Sequence, residues 1–221
     1  MPSTGLRERK KARTRQHIAD TAARLFAERG YENVAVGDVA READVAQQTV
    51  YNYFPTKEHL VTDREQETQE QLRLLIRARP PGRTPAAAIR EYVLRVVAGL
   101  RDIPSNLWRG EIGYLAAISP TVHRLVLELI DRLARALAAV ISDTTAVTPE
   151  IARLQGVALA GVFELIISEA GRRTRDGQSQ TKIARDLTRI IGNVLDELDR
   201  WFSISTASPR HHRKSRKPDT A

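Results

Sequence analysis

Residues 36–57 read VGDVAREADVAQQTVYNYFPTK, and their spacing predicts two short helices joined by a tight corner. Val36, Val39, Ala40 and Ala43 recur at three- and four-residue steps, which puts them on one stripe of a helix. The corner falls at Asp44-Val45, with Val45 plugging the turn. Beyond it Val50 and Phe54 lie four apart and face the same core. Rotation by roughly 100° per residue from Val50 carries Gln48 and Asn52 to the opposite side, with Thr49 and Tyr51 on the flanks and Gln47 at the leading end. Amides and hydroxyls of this kind hydrogen-bond base edges and phosphates, and Gln and Asn carry the paired donor and acceptor that match adenine. Pro55 ends the second helix, and Thr56 is placed to cap the next. The pattern points to duplex DNA.

Lys57 has two readings. A cation in the first turn of a helix opposes the helix dipole, so it either tolerates an exposed position or works with the helix N-terminus on a backbone phosphate.

From Ile18 to Leu60, about a fifth of the chain, the sequence resembles the DNA-binding domain of the tetracycline-repressor (TetR) family of transcriptional regulators. The match rests on AARLFAERGYENVAV, GDVAREADV and QQTVYNYFPTKEHL in that order. Phe26-x-x-x-Gly30-Tyr31, Val39-Ala40, Val45, Thr49-x-Tyr51-x-x-Phe54 and Lys57-Glu58 stand at the family's spacings. Three positions depart: Ala35 stands where the family has Thr, Asp44 where it has Gly, and Ala46 where it has Ser. Asp enters a left-handed turn less readily than Gly but does enter it, so the corner should form. The two alanines each remove a hydroxyl that would cap a helix.

At 221 residues and 42% hydrophobic content, the chain can bury one or two cores. There is no cysteine, so disulfides and thiolate metal sites are excluded. No uninterrupted apolar run approaches the roughly 18 residues that cross a bilayer, since Val157 to Ile167 is broken by Glu164. The basic N-terminus is not followed by an apolar segment, unlike a secretion signal. The expectation is a cytoplasmic protein with no membrane partner. The net charge of +8 is held at the ends. Residues 1–16 carry six basic groups against Glu8, residues 208–221 carry five against Asp219, and the body is close to neutral. Such arms suit a polyanion and add salt-dependent, sequence-independent affinity; the tail, SPRHHRKSRKPDTA, reads equally as a solvating disordered end.

The periodicity is helical throughout, and the expected fold is all-α. It divides into a basic N-terminal arm (1–16), a three-helix DNA-binding domain with a helix-turn-helix (17–62), a helical ligand-binding and dimerisation domain (63–204) and a basic disordered tail (205–221). Ile18, Ala22, Leu25 and Phe26 form the stripe of a first helix ended by Gly30. Unbroken pattern from Thr56 to Arg79 predicts one connecting helix, stopped by Pro80-Pro81-Gly82. Helices follow over Pro85 to Arg101, Asn106 to Ile118 and Pro120 to Ser142. Ile151 to Ala170 is apolar nearly all round and must be covered on more than one side. Ile183, Leu187, Ile191, Leu198, Trp201 and Phe202 stripe the last helix. These two long helices either close a four-helix bundle with a second copy or form the core of a monomer. The resemblance implies the homodimer, which would address two half-sites of a palindrome.

The expected DNA contacts are Gln47, Gln48, Thr49 and Asn52 in the major groove, Tyr51, Tyr53 and Lys57 on the backbone, and Arg13 and Arg15 at phosphates or the adjacent minor groove. The resemblance further implies that a small molecule entering between helices of residues 85–175 shifts the reading heads apart and lowers DNA affinity. Trp108, Glu111, Tyr114, His123, Phe163 and Glu164 are its candidate contacts, being polar or aromatic within apolar helices; the alternative is core for the aromatics and solvent for Glu111 and His123. Glu164 has three open readings: an exposed helix edge, a pair across a dimer, or a ligand contact. No glycine-rich phosphate loop or paired metal ligands are present, so no cofactor, metal or catalysis is expected. A sequence-independent DNA binder driven by the basic arms is the rival function, and an enzyme or ligand carrier with a vestigial motif is a second.

Overall fold

The computed structural model describes residues 3–104 and 106–207. Among them the fold is all-α, with an N-terminal helix-turn-helix domain and a C-terminal helical domain. Helix α1 (Ser3–Arg29) buries Ile18, Ala22, Leu25 and Phe26 completely or nearly so. It ends where the Gly30 N–H reaches the Phe26 carbonyl at 2.9 Å with Gly30 at φ 80°, a left-handed conformation that costs glycine nothing. Residues 3–16, within the stretch expected as a basic arm, form the leading half of α1. Arg, Lys, Gln and Ala are good helix formers, and they outnumber the one poor former, Gly5, near its start.

Helices α2 (Val36–Glu42) and α3 (Gln47–Tyr53) meet at the expected corner. Asp44 takes φ 52°. Around it the Val45 N–H reaches Ala40 O at 3.0 Å and the Asp44 N–H reaches Arg41 O at 3.3 Å. This is a Schellman closure built without the family's glycine. Ala35 offers no side-chain acceptor, and the Asp38 carboxylate instead accepts the Ala35 N–H at 2.9 Å. That backbone bond holds the Asp38 carboxyl below the usual carboxylate range.

The connecting helix is shorter than the sequence predicts. A 3₁₀ turn (Glu58–Leu60) and a break over 61–64 precede α4 (Glu65–Arg77). Here Thr62 turns its hydroxyl back on the Glu58 carbonyl, and the Asp63 carbonyl is taken by the Arg15 guanidinium at 3.0 Å; such local bonds compete with the helical ladder. Thr56 does not cap the new turn and lies 3.0 Å from His59 Nδ1.

Helix α5 (Pro85–Gly99) starts on Thr84, whose hydroxyl accepts the Ala87 N–H at 3.1 Å and donates to Asp199. The helix expected over 106–118 is two pieces, a 3₁₀ turn (Trp108–Gly110) and α6 (Ile112–Ile118). At the join Gly110 rests on α1 so closely that a Cβ would lie 1.8 Å from Ala23 O. Helices α7 (Pro120–Thr144), α8 (Pro149–Arg175) and α9 (Gln180–Ala207) start on Ser119, Thr148 and Ser179. The last runs through residues 205–207, where the tail was expected to begin; residues 208–221 lie outside the described residues.

Helix α8 is the axis of the body, packed by α6, α7 and α9. By length and composition it is long and apolar enough to cross a membrane, despite Glu164; its buried stripe of Leu159, Val162, Phe163 and Ile166 is occupied by its neighbours. Glu169 on its last turns accepts from Arg172 and Arg173, which depress its carboxyl to about 2. Main chain meets main chain where α6 crosses α8, and a Cβ on Gly171 would lie 1.9 Å from Gly113 O.

Gly171→Ala should therefore lower unfolding stability by about 1–3 kcal/mol through overpacking, read by urea denaturation, against no comparable loss for Gly161→Ala, whose Cβ meets nothing within 4 Å. Because the Glu169 carboxyl is depressed on folding, its contribution is present above the ordinary carboxylate range and is lost as pH falls toward 2. Glu169→Gln should unfold more easily than the parent at pH 7, with the gap closing in acid.

Candidate nucleic-acid interface and the cavity beneath it

The outer face of α3 is built by what holds its inner face. Val50 and Phe54 are 0% and 1% exposed, sealed against α1 and α2 with Val39 and Ala40. Gln47, Gln48, Tyr51 and Asn52 consequently face solvent. Gln48 Nε2 donates to Asn52 Oδ1 at 3.2 Å, and Gln47 Nε2 lies 3.5 Å from the Tyr51 hydroxyl, so the i, i+4 pairs line up along the protruding ridge. Thr49 is half-buried at its edge. Tyr53 is half-buried and packs against the domain core.

Two of the expected phosphate contacts, Lys57 and Arg15, are placed differently. Lys57 turns inward, its Nζ donating to the Tyr31 carbonyl at 2.5 Å and lying 4.1 Å from the Tyr31 ring centre. Desolvation there holds the ammonium below its usual range. Arg15 is equally occupied: it pairs with Asp63 at 3.2 Å and stacks over Phe54 at 4.7 Å, fastening α1 to the 61–64 break. Arg13 is exposed on the N-terminal half of α1 with Arg7, Arg9, Lys10 and Lys11.

Beneath this domain lies a cavity of about 420 Å³. Its walls come from α1 (Ala19, Ala23), the 61–65 segment, α5 (Val96), α7 (Leu133) and α8 (Phe163, Ile166), with Glu111 at the start of α6. Of the six expected ligand contacts only Glu111 and Phe163 line it. Trp108 and Tyr114 line a smaller space of about 60 Å³ that also touches Glu111. His123 is exposed at the start of α7, and Glu164 lines neither space. Burial raises the Glu111 carboxyl, the nearby Arg64 opposes that rise, and Asp63 and Asp20 add to it. The sequence pattern missed Asp63 and Glu65, because a wall drawn from the linker has no helical period; a polar Thr-Asp-Arg-Glu run within an apolar pattern was the available signal.

The domain and the cavity share structure. Leu115 of α6 and Val122 of α7, both 0% exposed, complete the core of the first domain, and the Ser119 hydroxyl donates to Glu32, holding that carboxyl below its usual range. Glu65 on the cavity wall is held by Arg132 of α7 at 2.7 Å and 2.9 Å.

Residues 18–63 match the family described as bacterial regulatory proteins, tetR family. The chain is 26% identical over 150 residues to the HTH-type transcriptional regulator TcmR of Streptomyces glaucescens, 68% of this chain and 62% of that protein. It is 28% identical over 135 residues to AcrR of Shigella flexneri, 56% of this chain and 62% of that one. The match thus spans about three fifths of these relatives' length. A crystal structure of NalD, the secondary repressor of the MexAB-OprM multidrug efflux pump in Pseudomonas aeruginosa, has the same fold at 18% identity. Its TM-score is 0.52, with 83% of this chain and 97% of that one covered.

Lys57→Ala should cost about 1–3 kcal/mol of stability through the lost charged hydrogen bond, whereas Gln48→Ala should stay within about 0.5 kcal/mol. Urea unfolding of the two variants separates a residue that holds the domain from one that faces outward.

Proposed function

We propose that this chain, whose residues 18–63 are a DNA-binding domain of the tetR family, is a homodimeric transcriptional repressor that a small molecule releases from a palindromic operator. The observation that carries it is the α3 ridge, which presents Gln47, Gln48, Tyr51 and Asn52 to solvent over an anchored underside. Gln48 and Asn52 read base edges in the major groove. Gln47, Thr49 and Tyr51 serve the rim and backbone, and Arg13 takes phosphate. Lys57 and Arg15 position the domain instead of touching DNA. The named relatives are transcriptional regulators, not enzymes, and a cytoplasmic location goes with access to DNA.

Dimer formation is supported by apolar side chains left facing solvent on the last two helices: Leu154 and Val157 on α8 are 55% and 53% exposed, Trp201 and Ile204 on α9 37% and 70%. Cover for such a stripe comes naturally from its own two-fold copy. Release follows from the shared walls. A molecule filling the cavity presses on α6 and the 61–65 segment, and both are fixed to the reading domain, through Leu115 and through the Arg15–Asp63 clasp. Its affinity for the DNA-bound spacing of the two domains must differ from that for the released spacing, and this difference sets how far it shifts the balance.

A second reading, sequence-independent binding, is favoured by the exposed basic run Arg7, Arg9, Lys10, Lys11 and Arg13 on a rigid helix. Selection of bound duplexes from a random pool decides between them. The repressor should return a two-fold symmetric sequence and retain it against a large excess of random DNA; an unenriched pool would leave only the second reading. Gln48→Ala should then relax base preference at one position per half-site at a cost of about 1–3 kcal/mol.

A further inference from the structure

The cavity wall carries four carboxylates, and three are already answered. Asp63 is held by Arg15, Glu65 accepts a two-pronged contact from Arg132, and Asp20 accepts from Gln16 Nε2 at 2.7 Å. The Glu111 carboxylate accepts no hydrogen bond from the described residues, and Leu129, Leu133, Ile112, Phe163 and Ile166 line the same cavity; the charge that opposes its burial is that of the exposed Arg64. A half-buried carboxylate without a hydrogen-bond donor is costly until one is supplied. The volume, about 420 Å³, is within the range that small-molecule sites occupy.

We infer that the cavity takes an organic amine with a hydrocarbon body, its ammonium seated on the Glu111 carboxylate and its body along the α7 and α8 side chains. The inference rests on reading the cavity as the effector site. An ammonium gives Glu111 the charge-assisted hydrogen bond it lacks. The Phe163 ring on the same wall adds a face that attracts cations. An anionic ligand would find only Arg64 and Arg95, both exposed to water, with Arg95 already beside Glu91 at 3.4 Å; solvated guanidiniums of this kind give little net attraction.

Calorimetric titration of the full chain with decylammonium, decan-1-ol and decanoate, below their micelle-forming concentrations, tests it. Decylammonium should bind about tenfold or more tightly than the other two, as expected for one desolvated charged hydrogen bond. Glu111→Gln should bring the three probes within about threefold of one another. Val96→Trp, which fills the mouth from an exposed position, should weaken all three. Equal affinities in the parent chain, a preference for decanoate, or an ammonium preference that survives Glu111→Gln would overturn the amine. Decanol binding that Val96→Trp weakens would then still keep the cavity as the site. Failure of all three probes to bind would remove the amine and the effector site together.

Discussion

The first domain does not close its own core. Leu115 and Val122 come from the body, are fully buried, and sit among Ile18, Val39, Val50 and Phe54. Leaving them in water would expose two large apolar side chains and open one side of that core, a loss of a few kcal/mol on the usual scale of core burial. The core of the first domain is therefore completed partly by residues more than sixty positions away from α3 in sequence, and whatever moves α6 acts on that core.

Polar contacts reinforce the same seam at its edges. The Arg15–Asp63 and Arg132–Glu65 pairs clasp the 61–65 segment from α1 and from α7, and Glu32 is tied to Ser119. Asp63 and Glu65 also face the cavity. Two of the charged groups that clasp the first domain to the body are thus also part of the cavity wall. In the proposed release mechanism, a ligand there competes with the neighbouring guanidiniums for a shared surface, so no long relay is needed.

Periodicity was enough to find the helices that bury a continuous stripe. The helix-turn-helix, α5, α7, α8 and α9 follow from apolar spacing, helped by Gly30, Pro85 and Pro120 at the ends of α1, α5 and α7. The face of α3 was legible for the same reason, since fixing Val50 and Phe54 inward leaves one direction for Gln48 and Asn52. The breaks at 61–64 and at Gly110 were not legible. They arise from contacts distant in sequence, Arg15 on Asp63 and Gly110 on Ala23, and a local pattern carries no trace of them. Lys57 and Arg15 were misplaced by the same blindness: each is a cation whose partner, a backbone carbonyl or a linker carboxylate, is chosen by tertiary structure. In the cavity, Glu111 and Phe163 were found as polar or aromatic interruptions of apolar runs, yet the same rule also picked His123 and Glu164, which line neither described space.

Where α6 crosses α8, the peptide planes of Gly113 and Gly171 touch with no side chain between them. Side chains yield by changing rotamer, but two backbones in contact have almost no soft coordinate to give. A push on one rod at that point is handed to the other nearly undiminished, much as a bare bearing transmits load that a rubber bush would absorb. The joint can slide or pivot; it cannot cushion.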